Sequence, residues 1–211
     1  MGGLRAVSDR NDAPRLVELL ILAALWMLFG FMLWYYLSAI HGAPVRLALE
    51  PLLRGVLGDD LYNVIPNPDR RYLLQVQTRI PFAFPDGSQG SLGFVINPLV
   101  YGYGLPLLFG LTMATSQSLL RKLAVLLAGW LVITGVQLWG VYWESLKNLA
   151  FNFGDAPAQV VAAAGIPATL IALCYQLGVL ILPALAPVVV WLLGNWSEVE
   201  AYTRRGRQAA P

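Results

Sequence analysis

The chain of 211 residues is 57% hydrophobic and only 12% charged, about half the charged share of a soluble domain, which excludes a soluble globular fold and a disordered chain. Its 14 basic and 12 acidic residues leave a net charge of +2, too balanced for a nucleic-acid-binding protein. Because the chain has one cysteine and one histidine, we expect no intramolecular disulfide, no multi-histidine metal or haem site, and no cofactor.

The N-terminal part is predicted to be a polar tail, residues 1–14, followed by a first transmembrane helix at residues 15–41. The segment Leu19–Ile40 is uncharged, and at about 1.5 Å per residue it covers roughly 33 Å, enough to cross a bilayer. A cleaved signal peptide is the alternative. The apolar run is longer than a signal sequence needs, and no A-x-A site follows it, so an uncleaved anchor is favoured.

Residues 42–97 are the longest polar stretch and are predicted to lie outside the bilayer. The segment Pro44–Leu57 is amphipathic and too short to span, so we expect it at the membrane interface. Asp59–Arg71 is rich in turn-forming residues. Asp59–Arg71 is therefore predicted to form turns, and the first strand is expected after it.

An alternating pattern follows within the same polar stretch. Tyr72–Ile80 and Ser91–Ile96 have the character of strands, and Pro85–Ser88 supplies a turn between them. The pattern predicts a small β-hairpin. Its unpaired edges cannot lie in lipid, so the hairpin is placed on the extracytoplasmic side.

Three more apolar segments, about Pro98–Thr115, Leu123–Trp143 and Ala168–Leu193, predict a three-helix transmembrane region at residues 98–194. A C-terminal tail, residues 195–211, then follows. The sequence therefore predicts an all-α integral membrane protein with four transmembrane helices and a small extracytoplasmic β-hairpin between the first and second. The lipid bilayer is its first expected partner.

Residues with a predicted role in helix packing fall in the second and fourth of these helices. Small residues and a proline recur every four positions in the second helix, where they let another helix approach closely, and Leu108 is expected to face outward. Prolines four apart are expected to kink the fourth helix. Gln137 and Gln176 are expected to hydrogen-bond each other across the bundle. The packing residues are Gly102, Pro106, Gly110, Ala114, Gln176, Pro183 and Pro187.

The basic residues predict the orientation. Eight lie in the two tails, up to Arg15 where the first helix begins, and in the turn between the second and third predicted helices. They are Arg5, Arg10, Arg15, Arg121, Lys122, Arg204, Arg205 and Arg207. The other side has six: Arg46, Arg54, Arg70, Arg71, Arg79 and Lys147. Five of those six lie in one long loop, where the positive-inside rule is weakest. We therefore expect a multi-pass protein of the bacterial inner membrane with both termini in the cytoplasm.

Two groups of side chains could carry function. Cys174, His41 and Arg79 could meet at the outer membrane face, where a base and a cation would activate the thiol as a nucleophile. The stronger interpretation is a packed cysteine and a boundary histidine. Separately, three polar residues share one face of the third helix and its outward extension, where they could bind a peptide or a partner helix or form a simple ion pair. They are Gln137, Glu144 and Lys147.

Three blocks resemble the exosortase H-associated membrane proteins. They are Asn97–Leu107 (NPLVYGYGLPL), Gln137–Gly140 (QLWG) and Tyr175–Pro187 (YQLGVLILPALAP). The plan of one anchor, an outer polar segment and three further spans is also similar. Proteins of this family are encoded beside exosortase H, a membrane cysteine transpeptidase thought to process proteins with a C-terminal IPTL-type sorting signal.

The resemblance implies a non-enzymatic accessory role beside an exosortase-type transpeptidase. Cys174 lies in Leu-Cys-Tyr-Gln, which does not match the exosortase cysteine motif, so no catalytic assignment is carried over. Two alternatives stay open: a membrane cysteine peptidase or transpeptidase that uses Cys174, and a structural subunit of a larger membrane complex.

Overall fold

The computed structural model describes residues 16–84, 87–196 and 200. The predicted tail at 1–14, most of the tail at 195–211, and part of the predicted turn at 85–88 lie outside these residues. The helices are α1 (Leu16–Tyr36), α2 (Ser38–His41), α3 (Ala43–Leu57), α4 (Leu99–Gly102), α5 (Gly104–Ala114), α6 (Leu119–Phe151), α7 (Asp155–Ala163), α8 (Ala168–Gln176) and α9 (Leu182–Gly194). The strands are β1 (Leu61–Pro66), β2 (Leu74–Ala83) and β3 (Gln89–Ile96).

Within the described residues, three helices are long and apolar enough to cross a membrane: Val17–Tyr36, Leu119–Phe151 and Ala168–Gly194. The expected second span is the shorter apolar segment Leu99–Ala114, about 24 Å long at ~1.5 Å per residue. By contrast α6 has 33 residues and is about 50 Å long. It therefore continues well beyond the predicted end at Trp143, and this extra length brings it to the polar part of the protein.

The sheet has three antiparallel strands in the order β1-β2-β3. The predicted hairpin corresponds to β2 and β3, and β1 is a third strand where only turns were expected. That expectation for Asp59–Arg71 was wrong because the strand is short and only Leu61 and Val64 on it are buried, too few to show a clear alternation.

One apolar core joins the sheet to the helices. Helix α3 contributes a stripe of buried residues four apart, Val45, Leu49, Leu53 and Leu57, which packs with the inner face of the sheet. Leu146 and Leu149 from the extended end of α6 complete the same core. The buried stripe of α3 thus packs against protein.

Within the apolar helices, α5 is enclosed on two sides. A Cβ atom on Gly110 would lie 2.6 Å from the carbonyl oxygen of Ala23 in α1, so only glycine permits this approach. Leu108 is fully buried against α6, where it fills the space beside Gly129. The prediction that Leu108 faces outward was therefore wrong, since α5 contacts α1 on one face and α6 on the other.

The last apolar helix is irregular near its prolines. Leu177–Ile181 forms a π-helical turn between α8 and α9, and Pro183 is the second residue of α9. Pro183 and Pro187 are buried and face Gly104, where a Cβ atom would lie 2.7 Å from the Pro183 carbonyl oxygen. The irregular turn sets the path of α9 against the start of α5.

Candidate functional site

A cluster of polar side chains lies where α4, α6 and α8 meet, at the boundary between the apolar helices and the sheet. Helix α6 supplies Gln137 and, about two and three turns further on, Glu144 and Lys147, which its periodicity places on one face. Tyr101 of α4 and Tyr175 of α8 face them. The three α6 residues singled out from sequence thus each contact a residue of another element or of the next turn.

Gln137 is fully buried and fastens α6 to the start of α4. Its Nε2 donates a hydrogen bond to the carbonyl oxygen of Pro98 at 3.2 Å, and its Oε1 has no partner within the described part of the chain. A Cβ atom on Gly102 would overlap the Gln137 amide, so glycine makes room for it. The expected bond between Gln137 and Gln176 is absent from the described residues, because the Gln137 amide is buried against Pro98 whereas Gln176 is exposed.

Tyr101 lies across α6 and ends at Glu144. The ring covers Gly140, where a Cβ atom would overlap it, and the hydroxyl donates to Glu144 Oε2 at 3.0 Å. Tyr101 is buried and Glu144 half-buried. A hydrogen bond from a hydroxyl to a carboxylate is stronger than a neutral one, so this contact fixes the direction of the carboxylate.

Lys147 contacts α8. Its Nζ donates to Asn148 Oδ1 at 2.7 Å and lies 4.9 Å from the centre of the Tyr175 ring, a cation–π distance. Asn148 Oδ1 also accepts from Asn152. Among the described residues Glu144 and Lys147 form no ion pair within 4.0 Å.

Comparison with known protein families identifies the family of this chain. A model of the exosortase H-associated membrane protein family matches residues 13–198. The chain belongs to this family. Comparison with curated proteins and with solved structures gave no match. Members of the exosortase H-associated family are described as membrane proteins, in agreement with the apolar helices.

The three residues of the alternative nucleophilic site have separate surroundings in this family member. His41 Nε2 donates to the carbonyl oxygen of Trp34 at 3.1 Å and its ring stacks on that indole. Arg79 donates to the carbonyl oxygen of Asp59 and lies over the Tyr62 ring. Cys174 is half-buried, and its carbonyl oxygen, not its thiol, accepts a bond from Trp139. Among the described residues, none of the three forms a hydrogen bond or a ring contact with another of the three.

Sequence reasoning missed the aromatic half of the cluster. Tyr101 and Tyr175 were visible only as parts of the family blocks, and neither has a charged neighbour in sequence. Gly140 was the available signal, because a glycine inside a helix between Gln137 and Glu144 marks close approach by another group. The sequence cannot say which of the chain's nine tyrosines fills that space.

Proposed function

We propose that the protein is a non-enzymatic accessory protein of an exosortase-type sorting system in the bacterial inner membrane. The single observation that carries this proposal is the family match over residues 13–198. Two findings support a role without chemistry of its own. Cys174, His41 and Arg79 have separate partners, and the described residues contain no group of three metal-ligating side chains.

The proposed topology has four spans, both termini in the cytoplasm and the sheet outside. Three helices have the length for it, and Leu99–Ala114 is the short fourth span, which adjoining helices would help to accommodate. Arg121 and Lys122 lie in the first turn of α6, and the positive-inside rule favours a cytoplasmic position for them. With that orientation the polar cluster lies near the outer membrane face.

The proposed contact surface for the sorting enzyme is the outer end of α6. Glu144 uses one carboxylate oxygen for Tyr101, and Lys147 uses one of its three donors for Asn148. Both side chains are half-buried, so each retains capacity for a polar group of a neighbouring helix or peptide. Such groups at a membrane boundary favour specific partners, because they are costly to leave unpaired.

The test is processing of an exosortase substrate in cells that lack this chain. Deletion should leave the substrate unprocessed, and the wild-type chain should restore processing. Cys174→Ala should restore it equally, since the thiol has no role. Loss of processing with Cys174→Ala at normal abundance would favour the cysteine-enzyme alternative, and normal processing in the deletion strain would refute the accessory role.

A further inference from the structure

The two edges of the sheet differ in how their backbone groups are satisfied. At the β1 edge, the Val64 N–H donates to Glu50 Oε2 at 3.3 Å. Arg54 donates to the carbonyl oxygens of Leu61 at 3.3 Å and Tyr62 at 3.4 Å, and it also binds Glu50 at 2.9 Å. The Glu50–Arg54 ion pair of α3 thus binds backbone groups at the β1 edge with which a further strand would otherwise pair.

At the β3 edge the alternation of the strand identifies the outward groups. The Leu92 carbonyl oxygen accepts from the Thr78 hydroxyl at 2.8 Å, so Leu92 directs its backbone groups towards β2. In an antiparallel ladder neighbouring residues point to opposite sides, which directs Ser91, Gly93 and Val95 to the outer edge. Pro81 lies opposite Ser91 and has no N–H to donate across the pair, in agreement with this assignment.

These outward groups have no cover in the described part of the chain. Among the described residues, no backbone hydrogen bond outside the ladder involves Gln89–Ile96, and the side chains of Ser91 and Val95 are exposed. Proteins usually protect a free edge with charge, proline or a bulge on the edge strand. The sequence of β3, QGSLGFVI, has no charge and no proline, so this edge is open to main-chain pairing.

We propose that the β3 edge binds an extended peptide segment of the sorting substrate by strand addition, an inference that rests on the proposed accessory function. Strand addition uses main-chain hydrogen bonds for affinity, and an extended peptide supplies them. Ile96 is followed directly by Asn97, Pro98 and α4, so β3 ends where the chain enters its apolar helices. A segment that flanks a substrate's own transmembrane helix emerges at the same level and can align with the strand.

The first experiment removes outward donors without changing the β2 pairing. Ser91→Pro and Val95→Pro each delete one outer N–H, whereas the matched controls Ser91→Ala and Val95→Ala keep it. In cells, each proline variant should lower the yield of processed substrate by about fivefold or more, on the scale of one lost hydrogen bond. Both alanine controls should process substrate as wild type does. Wild-type processing by both proline variants overturns the inference.

The second experiment identifies the occupant and does not depend on proline tolerance. A photoreactive amino acid replaces Val95 in the full chain, and Tyr62 at the closed β1 edge is the matched control position. With an epitope-tagged substrate in the same cells, irradiation should crosslink position 95 to the substrate and position 62 to nothing tagged. Crosslinks from position 95 only to a second copy of this chain, or none at all, refute the assignment.

The deletion strain separates this inference from the proposed function. If deletion of the chain leaves processing unchanged, the accessory role fails and the edge assignment fails with it. If deletion abolishes processing but the proline variants and the crosslinks at position 95 give the negative results above, the accessory role stands and only the edge assignment is wrong.

Discussion

The contact between Gly140 and Tyr101 gives the sharpest test of the polar cluster. Gly140→Ala adds one methyl group that would overlap the Tyr101 ring. The ring cannot move without stretching its hydroxyl bond to Glu144, which is 3.0 Å long. We therefore expect Gly140→Ala to destabilise the protein although alanine favours helix.

The magnitude follows from two opposing effects. Replacing glycine by alanine inside a helix contributes about 1 kcal/mol of stability. Overpacking a buried site costs about 1–3 kcal/mol. Gly135 in the same helix is the matched control, because a Cβ atom there has no neighbour within 4 Å and only the favourable effect remains. The two variants should thus differ by about 1–3 kcal/mol, with Gly140→Ala the less stable.

The assay is thermal unfolding of both purified variants in the same detergent. At about 2–4 °C per kcal/mol for a protein of this size, Gly135→Ala should melt some 2–12 °C above Gly140→Ala. Adding Tyr101→Leu to Gly140→Ala should cost less than the sum of the single changes, since the smaller side chain frees space. Equal melting temperatures for the two glycine variants would show that Tyr101 does not lie over Gly140.

Three further predictions address packing, pH and topology. Gly110→Leu should lower the detergent melting temperature far more than Gly135→Leu, because its Cβ would lie 2.6 Å from a carbonyl oxygen of α1 whereas Gly135 faces open space. The hydrogen bond from Arg54 lowers the pKa of Glu50. The stability that ionised Glu50 contributes is therefore present above the ordinary carboxyl pKa and is lost as pH falls through the lowered pKa. Glu50→Gln should flatten the acid side of a profile of melting temperature against pH. In a Cys174→Ser background, a cysteine at Ser88 should react with a membrane-impermeant maleimide in intact spheroplasts, and labelling only after permeabilisation would reverse the orientation.

The sequence predicted the α6 residues of the candidate site but not their partners. Helical periodicity brings Gln137 and Glu144 to one face of α6, since they are seven residues apart, which is about two helical turns. Their partners come from Pro98 and Tyr101, some forty residues away in the chain. No local pattern encodes such pairs. For that reason the predicted hydrogen bond between Gln137 and Gln176 was wrong.

The sequence by itself determined the membrane class, the apolar helices and two of the three strands, because these depend on composition and on local periods of 3.6 and 2 residues. The tertiary structure alone decided what each face contacts. It buries Leu108 between helices and turns the amphipathic face of α3 onto the sheet. It also closes the β1 edge with Glu50 and Arg54, whereas no described residue outside the sheet pairs with the backbone of β3. These outcomes depend on which distant segments come together, and hydropathy carries no information about the identity of a distant neighbour.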